Sequence, residues 1–101
     1  MPIVENIFDG IVVEWDSKKA ELVIKEHGVS FDEALTVLLY DDNALTNEDV
    51  RGYDGEQRFS TIGVSSYGRL LYVAWTLRDI RYRLISARKA NRHEQKGYQN
   101  A

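Results

Sequence analysis

The sequence predicts an α+β fold: a small antiparallel sheet, two N-terminal helices packed on it, and a basic helix at the C-terminus. Apolar residues recur at helical spacing up to about residue 39, whereas β-branched and aromatic residues fill the stretch from Arg58 to Ala87. Turn chemistry at Ser66-Tyr67-Gly68 and at Arg78-Asp79 folds that second stretch into a meander. At 101 residues the chain supports one domain, with one core burying roughly 60 to 70% of the surface an unfolded chain exposes. Residues 1–10 read as an N-terminal extension ahead of that domain.

Ile11 to Trp15 is β-branched and apolar, and the abrupt Asp16-Ser17 hands this strand to a helix capped by Asp16. The helix runs to about His27, with Ala20, Val23, Ile24 and His27 as its inward stripe. Gly28 follows where a left-handed residue ends a helix. Ser30-Phe-Asp-Glu33 fits a capping box in which Ser30 accepts from the amide near Glu33 and Glu33 reaches back to Ser30. A second helix over 31–39 then faces the core through Phe31, Ala34, Leu35 and Leu38, with Val37 and Leu39 widening the stripe. From Asp41 to Gln57 the chain is acidic and broken by Gly52 and Gly55, so a short strand at Ala44–Thr46 and then a loop are expected. Strands follow at Arg58–Ser65, at Arg69–Leu77 with Leu71, Val73 and Trp75 on one face, and at Ile80–Ala87. A last helix spans about Lys89 to Tyr98.

The net charge of −3 hides a division. Residues 1–57 hold 4 Lys and Arg against 14 Asp and Glu, and residues 58–101 hold 9 against 2. A polyanion is therefore attracted to one part of the chain and repelled by the other. No apolar run approaches the length of about 20 residues that spans a bilayer, and the first ten residues lack a basic start and an apolar stretch, so a cytosolic protein is expected. The absence of cysteine removes disulfides, thiolate nucleophiles and thiolate metal sites. Two histidines make no convincing zinc site, so chemistry without metal or other cofactor is expected.

Strand alternation puts Arg81 and Arg83 on one face and turns Tyr82 and Leu84 to the core. Arg88 and Arg92 stand four apart, with Lys89 beside Arg88 and Lys96 continuing the Arg92 face. Guanidinium forks match phosphate oxygens, and so few acids among these bases favours a polyanion over a merely solvated face. His27 is one of two side chains that ordinarily titrate near neutrality, although a histidine ending a helix also suits the capping of free carbonyls. His93 sits in an exposed basic helix, and Ser86 has no readable triad partners. Tyr53, Tyr67 and Tyr72 are able to stack on bases or to serve as core and rim residues.

Glu14-Trp15-Asp16 with Lys19-Ala20, His27-Gly-Val-Ser-Phe-Asp-Glu-Ala34, Asp54-Gly-Glu-Gln-Arg58-Phe59 with Thr61-Ile-Gly63, and Arg81, Arg83 and Ile85-Ser-Ala-Arg88-Lys-Ala90 occur in that order. Together these blocks resemble the BrnT family of toxins over about residues 12–98. The resemblance implies a RelE-like ribonuclease toxin fold for a domain of residues 11–98 and a bacterial type II toxin. It further implies neutralisation by a BrnA antitoxin with a ribbon-helix-helix part, through which the pair reaches its operator DNA. The activity so implied is metal-independent RNA cleavage by the 2'-hydroxyl. His27 is then the candidate for proton transfer, Arg58, Arg83 and Arg88 for phosphate stabilisation, and Arg69, Arg78, Arg81, Lys89 and Arg92 for binding the RNA backbone. Departures from the family pattern fall at Val23, Glu26, Trp75 and Asp79. They leave open a second class of function, a catalytically degenerate toxin-like module that binds an antitoxin or nucleic acid without cutting.

Overall fold

The computed structural model describes residues 2–53 and 56–101, and the side chains of all of these except 50–53. Asp54 and Gly55 of the fourth-strand motif, and the Tyr53 ring, therefore lie outside the described residues. Among those described, the chain runs β1 (Ile3–Phe8), β2 (Ile11–Asp16), α1 (Ser17–His27), α2 (Phe31–Tyr40), β3 (Leu45–Tyr53), β4 (Glu56–Val64), β5 (Leu70–Arg78), β6 (Arg81–Lys89) and α3 (Arg92–Gln99). The strands form one sheet in the order β1-β2-β6-β5-β4-β3. Every pairing is antiparallel except β2 with β6, which is parallel from Val12↔Arg81 to Glu14↔Arg83.

Local signals account for the helix ends. Asp16 Oδ1 accepts from the amides of Lys18 (2.8 Å) and Lys19 (3.2 Å), and Gly28, at φ 68°, closes α1 by donating to Ile24 O. The inward stripe of α1 is narrower than its spacing predicts. Val23 is buried and Ala20 half-buried, but Ile24 and His27 are exposed, because α1 leans on β6 and the end of β2 along a single line. Across the sheet, α2 packs so closely on β4 that a Cβ at Gly63 would stand 2.7 Å from Val37 Cγ1.

Two stretches hold more strand than expected. Residues 3–8, within the expected extension, form the edge strand β1, joined to β2 by Asp9-Gly10, both at positive φ, the Asp-Gly chemistry of a two-residue hairpin. The acidic segment expected to be mostly loop forms β3, paired with β4 from Leu45↔Ile62 to Tyr53↔Glu56 with a bulge between Asp49 and Tyr53. Its polar residues are tolerated at a sheet edge, and a bond of 2.8 Å between the Thr46 and Thr61 hydroxyls fixes its register. The last helix begins at Arg92 rather than Lys89, because Lys89 completes β6 and Asn91 and Glu94 build the capping box that starts α3.

Glu33 makes only half of its predicted box. Ser30 Oγ accepts from the Glu33 amide at 3.0 Å, but the carboxylate turns inward instead of returning to Ser30. Only 3% exposed, it receives Ser65 Oγ (2.7 Å), Arg69 Nε (2.9 Å) and Arg69 Nη2, and the same Nη2 donates to Gly28 O at 3.0 Å. One charged pair thus joins the α1–α2 corner to the β4–β5 turn. The hydrogen bonds from Arg69 outweigh burial and, with the bond from Ser65, hold the Glu33 carboxyl below its ordinary value of 4.5.

Strand β6 carries the irregularity that matters most. Ala74 pairs with Ser86 but Trp75 pairs with Leu84, so Ile85 is an extra residue and the alternation slips by one. Tyr82, Leu84 and Ala87 consequently face the helices, while Arg81, Arg83, Ser86 and Arg88 share the opposite, open face. Trp75, on the helix side, stacks between Phe59 (4.5 Å) and Tyr82 (5.2 Å) and donates to Thr61 Oγ1 at 2.8 Å. Among the described residues no helix is long and apolar enough to cross a membrane.

Arg69→Ala leaves the Glu33 charge buried without its counter-ion. Denaturant unfolding should show the midpoint moved to lower denaturant, by less than for a fully buried pair because the Arg69 side chain is 33% exposed. Because folding lowers the Glu33 pKa, the pair contributes fully above the ordinary value of 4.5 and loses its contribution as pH falls through the lower folded value. Glu33→Gln should flatten that acid limb of the stability curve.

Candidate functional site

The open face of the sheet gathers arginines from three strands, and carboxylates hold them. Glu14, 4% exposed although charged, accepts from Arg83 Nη1 at 3.1 Å and from Arg81 Nη1 at 3.4 Å, while Arg81 also lies 3.7 Å from Glu5 Oε2. At the start of β4, Glu56 Oε1 stands 3.4 Å from Arg78 Nε and its Oε2 stands 4.0 Å from Arg58 Nη2. Arg88 makes a two-pronged pair with Glu94 (2.8 and 2.9 Å) and lies over the Tyr72 ring, 4.1 Å from its centroid. The Arg88 fork, stronger than the opposing desolvation and helped by the Asn91 amide, holds the Glu94 carboxyl below its ordinary 4.5.

Between these groups lies an open cleft of about 470 Å³. Arg58, Arg78, Arg83 and Glu56 line it with Thr76 and Ile85, and the first half of α1 adds Lys18, Lys19 and Leu22 as a wall. Because Asp16 already occupies the amides of Lys18 and Lys19, α1 brings its lysine side chains to the cleft rather than free N–H groups. A smaller hollow of about 180 Å³ shares Arg58 and Ile85 with the cleft and extends over Ser60 and Ala74 to Tyr72, beneath Arg88. The result is a groove walled by arginines and lysines, with Glu56 and Asp49 among them, a floor of mixed character, and the half-buried Tyr72 under Arg88 at one margin. Such a groove accommodates phosphates at its walls and a base on its floor.

Of the candidates read from the sequence, Arg58, Arg78, Arg81, Arg83 and Arg88 come together here. Arg69 does not: its guanidinium is committed to Glu33 and Gly28 O on the helix side. Lys89 pairs opposite Leu71 on that same side, where its charge acts on Glu33, and Arg92 is exposed on the first turn of α3. His27 ends α1, about 12 Å along the helix axis from Lys19, and does not line the cleft. Among the described residues its imidazole makes no hydrogen bond, so the carbonyl capping considered for it is not formed either. The departures from the family pattern also avoid the groove. Val23 is buried among core residues, Glu26 is exposed beside His27, Trp75 faces the helices, and Asp79 adopts φ 56° in the β5–β6 hairpin, the conformation that glycine favours.

Sequence reasoning missed Lys18, Lys19, Thr76 and the carboxylates Glu14, Glu56 and Glu94. Two signals pointed to some of them: Glu14 is a charge within the apolar run Ile11–Trp15, and Glu14, Lys19 and Glu56 all stand in the blocks that carry the family resemblance.

Affinity for a single-stranded polyanion should fall with salt, and Arg83→Ala or Arg78→Ala should each reduce the slope of log affinity against log salt by about 0.7. Lys89→Ala, on the other face, should leave the slope unchanged. Fluorescence titrations of a labelled oligonucleotide at several salt concentrations measure all three.

Residues 15–94 match the family described as ribonuclease toxin, BrnT, of type II toxin-antitoxin system. The span runs from the end of β2 into the first turn of α3 and leaves β1 outside. The crystal structure of the Brucella abortus ribonuclease toxin, BrnT, is similar to this chain with a TM-score of 0.56 at 21% sequence identity, covering 77% of this chain and 94% of that one. No curated protein matches the chain. At such identity the structural likeness concerns the fold, an α+β arrangement with a mostly antiparallel sheet. The family match covers most of the sequence, including Arg58, Arg83 and Arg88, and on that ground the chain belongs to the BrnT family of ribonuclease toxins of type II toxin-antitoxin systems.

Proposed function

We propose that the protein is a metal-independent, RelE-like endoribonuclease that cuts RNA by attack of a 2'-hydroxyl on the adjacent phosphorus. The observation that carries this reading is the convergence of Arg58, Arg83 and Arg88 along one groove, a convergence that depends on the extra residue Ile85. The attack adds negative charge to the phosphoryl oxygens, and preorganised guanidiniums stabilise such charge without having to reorganise during the reaction. Arginine stays protonated at neutral pH and is assigned electrostatics alone. Arg78 and Arg81, farther along the face, bind flanking phosphates, and Tyr72 offers a stacking surface for a base. Neutralisation by a BrnA-like ribbon-helix-helix antitoxin follows if that partner covers the groove, and the antitoxin then carries the toxin to operator DNA.

A non-cutting module is the second reading, and one observation favours it. Glu94 already takes both prongs of Arg88, and Glu14 takes one nitrogen each of Arg81 and Arg83, so an RNA phosphate must share these guanidiniums with a carboxylate or displace it.

Labelled RNA incubated with the purified protein in chelator decides between them. The ribonuclease should release fragments ending in a 2',3'-cyclic phosphate and beginning with a 5'-hydroxyl; a shifted but intact RNA would overturn the proposal. Arg88→Lys keeps the charge but loses the planar fork, so the cleavage rate should fall far more than RNA affinity does. The distance of His27 from the cleft leads us to expect His27→Gln to cut within a few fold of wild type. A loss of roughly 100-fold in a well-folded His27→Gln protein would return that residue to the reaction.

A further inference from the structure

A 2'-hydroxyl becomes a nucleophile only as it loses its proton, and the groove must hold an acceptor within reach of the phosphate. Two carboxylates line the cleft between α1 and the arginines among the described residues, Asp16 and Glu56. Asp16 is committed to the amides that begin α1. The nearby carboxylates are placed or occupied otherwise: Glu14 is buried between two guanidiniums, Glu94 uses both oxygens on Arg88 while its Oε1 also accepts from Asn91 N at 2.8 Å, and Asp49, across from Arg58 in the β3–β4 pairing, borders the smaller hollow and not the cleft. Glu56 differs from all four. Its side chain is 24% exposed, its contacts with Arg78 and Arg58 are long at 3.4 and 4.0 Å, and it shares the cleft wall with Arg58, Arg83 and Thr76.

We propose that Glu56 is a catalytic residue, the acceptor of the 2'-hydroxyl proton, an assignment that rests on the ribonuclease reading above. A phosphate seated on Arg58 and Arg83 stands beside the Glu56 carboxylate, which takes the 2' proton as the 2' oxygen bonds to phosphorus. The bond from phosphorus to the 5' oxygen breaks, and that oxygen takes a proton from water. The resulting hydroxide removes the proton held by Glu56, which restores the carboxylate and completes the balance with no metal and no redox partner. The weak grip of Arg78 and Arg58 orients Glu56 and leaves its oxygens accessible.

Glu56→Gln preserves shape and an oxygen facing Arg78 but cannot take up a proton. Its cleavage rate at saturating RNA should fall roughly 100- to 10,000-fold, and the rise of rate with pH on the acid side of the wild-type profile should disappear. Affinity for an uncleavable oligonucleotide with 2'-deoxy substitution should stay the same or tighten, because the groove loses a negative charge. Glu56→Asp, whose carboxylate is set back by one methylene, should retain the pH dependence at an intermediate rate, and thermal melts of both variants establish that they fold. A folded Glu56→Gln protein that cuts within about tenfold of wild type, or that keeps the acid limb, overturns the assignment. So does a loss confined to KM and oligonucleotide affinity, which would mean that Glu56 only positions its arginines. A wild-type protein that fails to cut overturns both readings, whereas an active wild type with an active Glu56→Gln variant overturns this one alone.

Discussion

The slip of one residue at Ile85 is the constraint on which the site depends. A strand that alternated strictly would send Arg81, Arg83 and Ala87 to one face and Tyr82, Leu84 and Arg88 to the other, burying a guanidinium under the helices and exposing a small core residue. The bulge lets Tyr82, Leu84 and Ala87 all face the core while Arg83 and Arg88 both face the groove. Ile85 itself borders the cleft and the smaller hollow beside it. The core and the site are therefore solved by the same backbone irregularity, and neither is independent of the other.

The chain's division of charge has an internal use. Among the described residues, Glu5, Glu14, Glu33 and Glu56 of the negative first part pair with arginines of the positive second part, namely Arg81, Arg83, Arg69, Arg78 and Arg58. Because β2 lies beside β6 and β4 beside β5, the topology interleaves the two parts, and much of the opposed charge is satisfied within the fold. Arg88 with Glu94 is a pair formed inside the second part, and it ties the end of β6 to the start of α3.

These pairs differ in consequence because their surroundings differ. The Glu33 carboxylate is buried while Arg69 is one third exposed, so losing Arg69 strands a buried charge, and the pair acts as a fastening between the helices and the β4–β5 turn. The pairs at Glu56 are long and more exposed, contribute little to stability, and hold Arg58 and Arg78 only loosely along the cleft. Tyr98 supplies a neutral counterpart at the far end, donating to Asp41 Oδ2 at 2.8 Å, where Val64 N also donates, so that α3 is secured against the end of α2 and the edge of β4.

Interactions between residues two to four apart were legible in the sequence by itself. The Asp16 cap, Gly28, the Ser30 cap, the Ser66–Gly68 turn and the inward faces of α2 and β5 need only local geometry and the period of apolar residues. That the second part is basic, and that Arg81 and Arg83 share a face, followed from composition and alternation alone. Tertiary structure decided everything that requires a partner distant in sequence. It turned Glu33 from its own helix to Arg69, put Arg69 and Lys89 on the helix side of the sheet, and left His27 away from the arginines of the open face. It also drew the acidic residues 45–53 into an edge strand against β4 and, through the Ile85 bulge, carried Arg88 across the sheet. The physical reason is that a single strand's pattern does not specify register: an extra residue, or a carboxylate waiting on a neighbouring strand, has an energy only once the two strands are side by side.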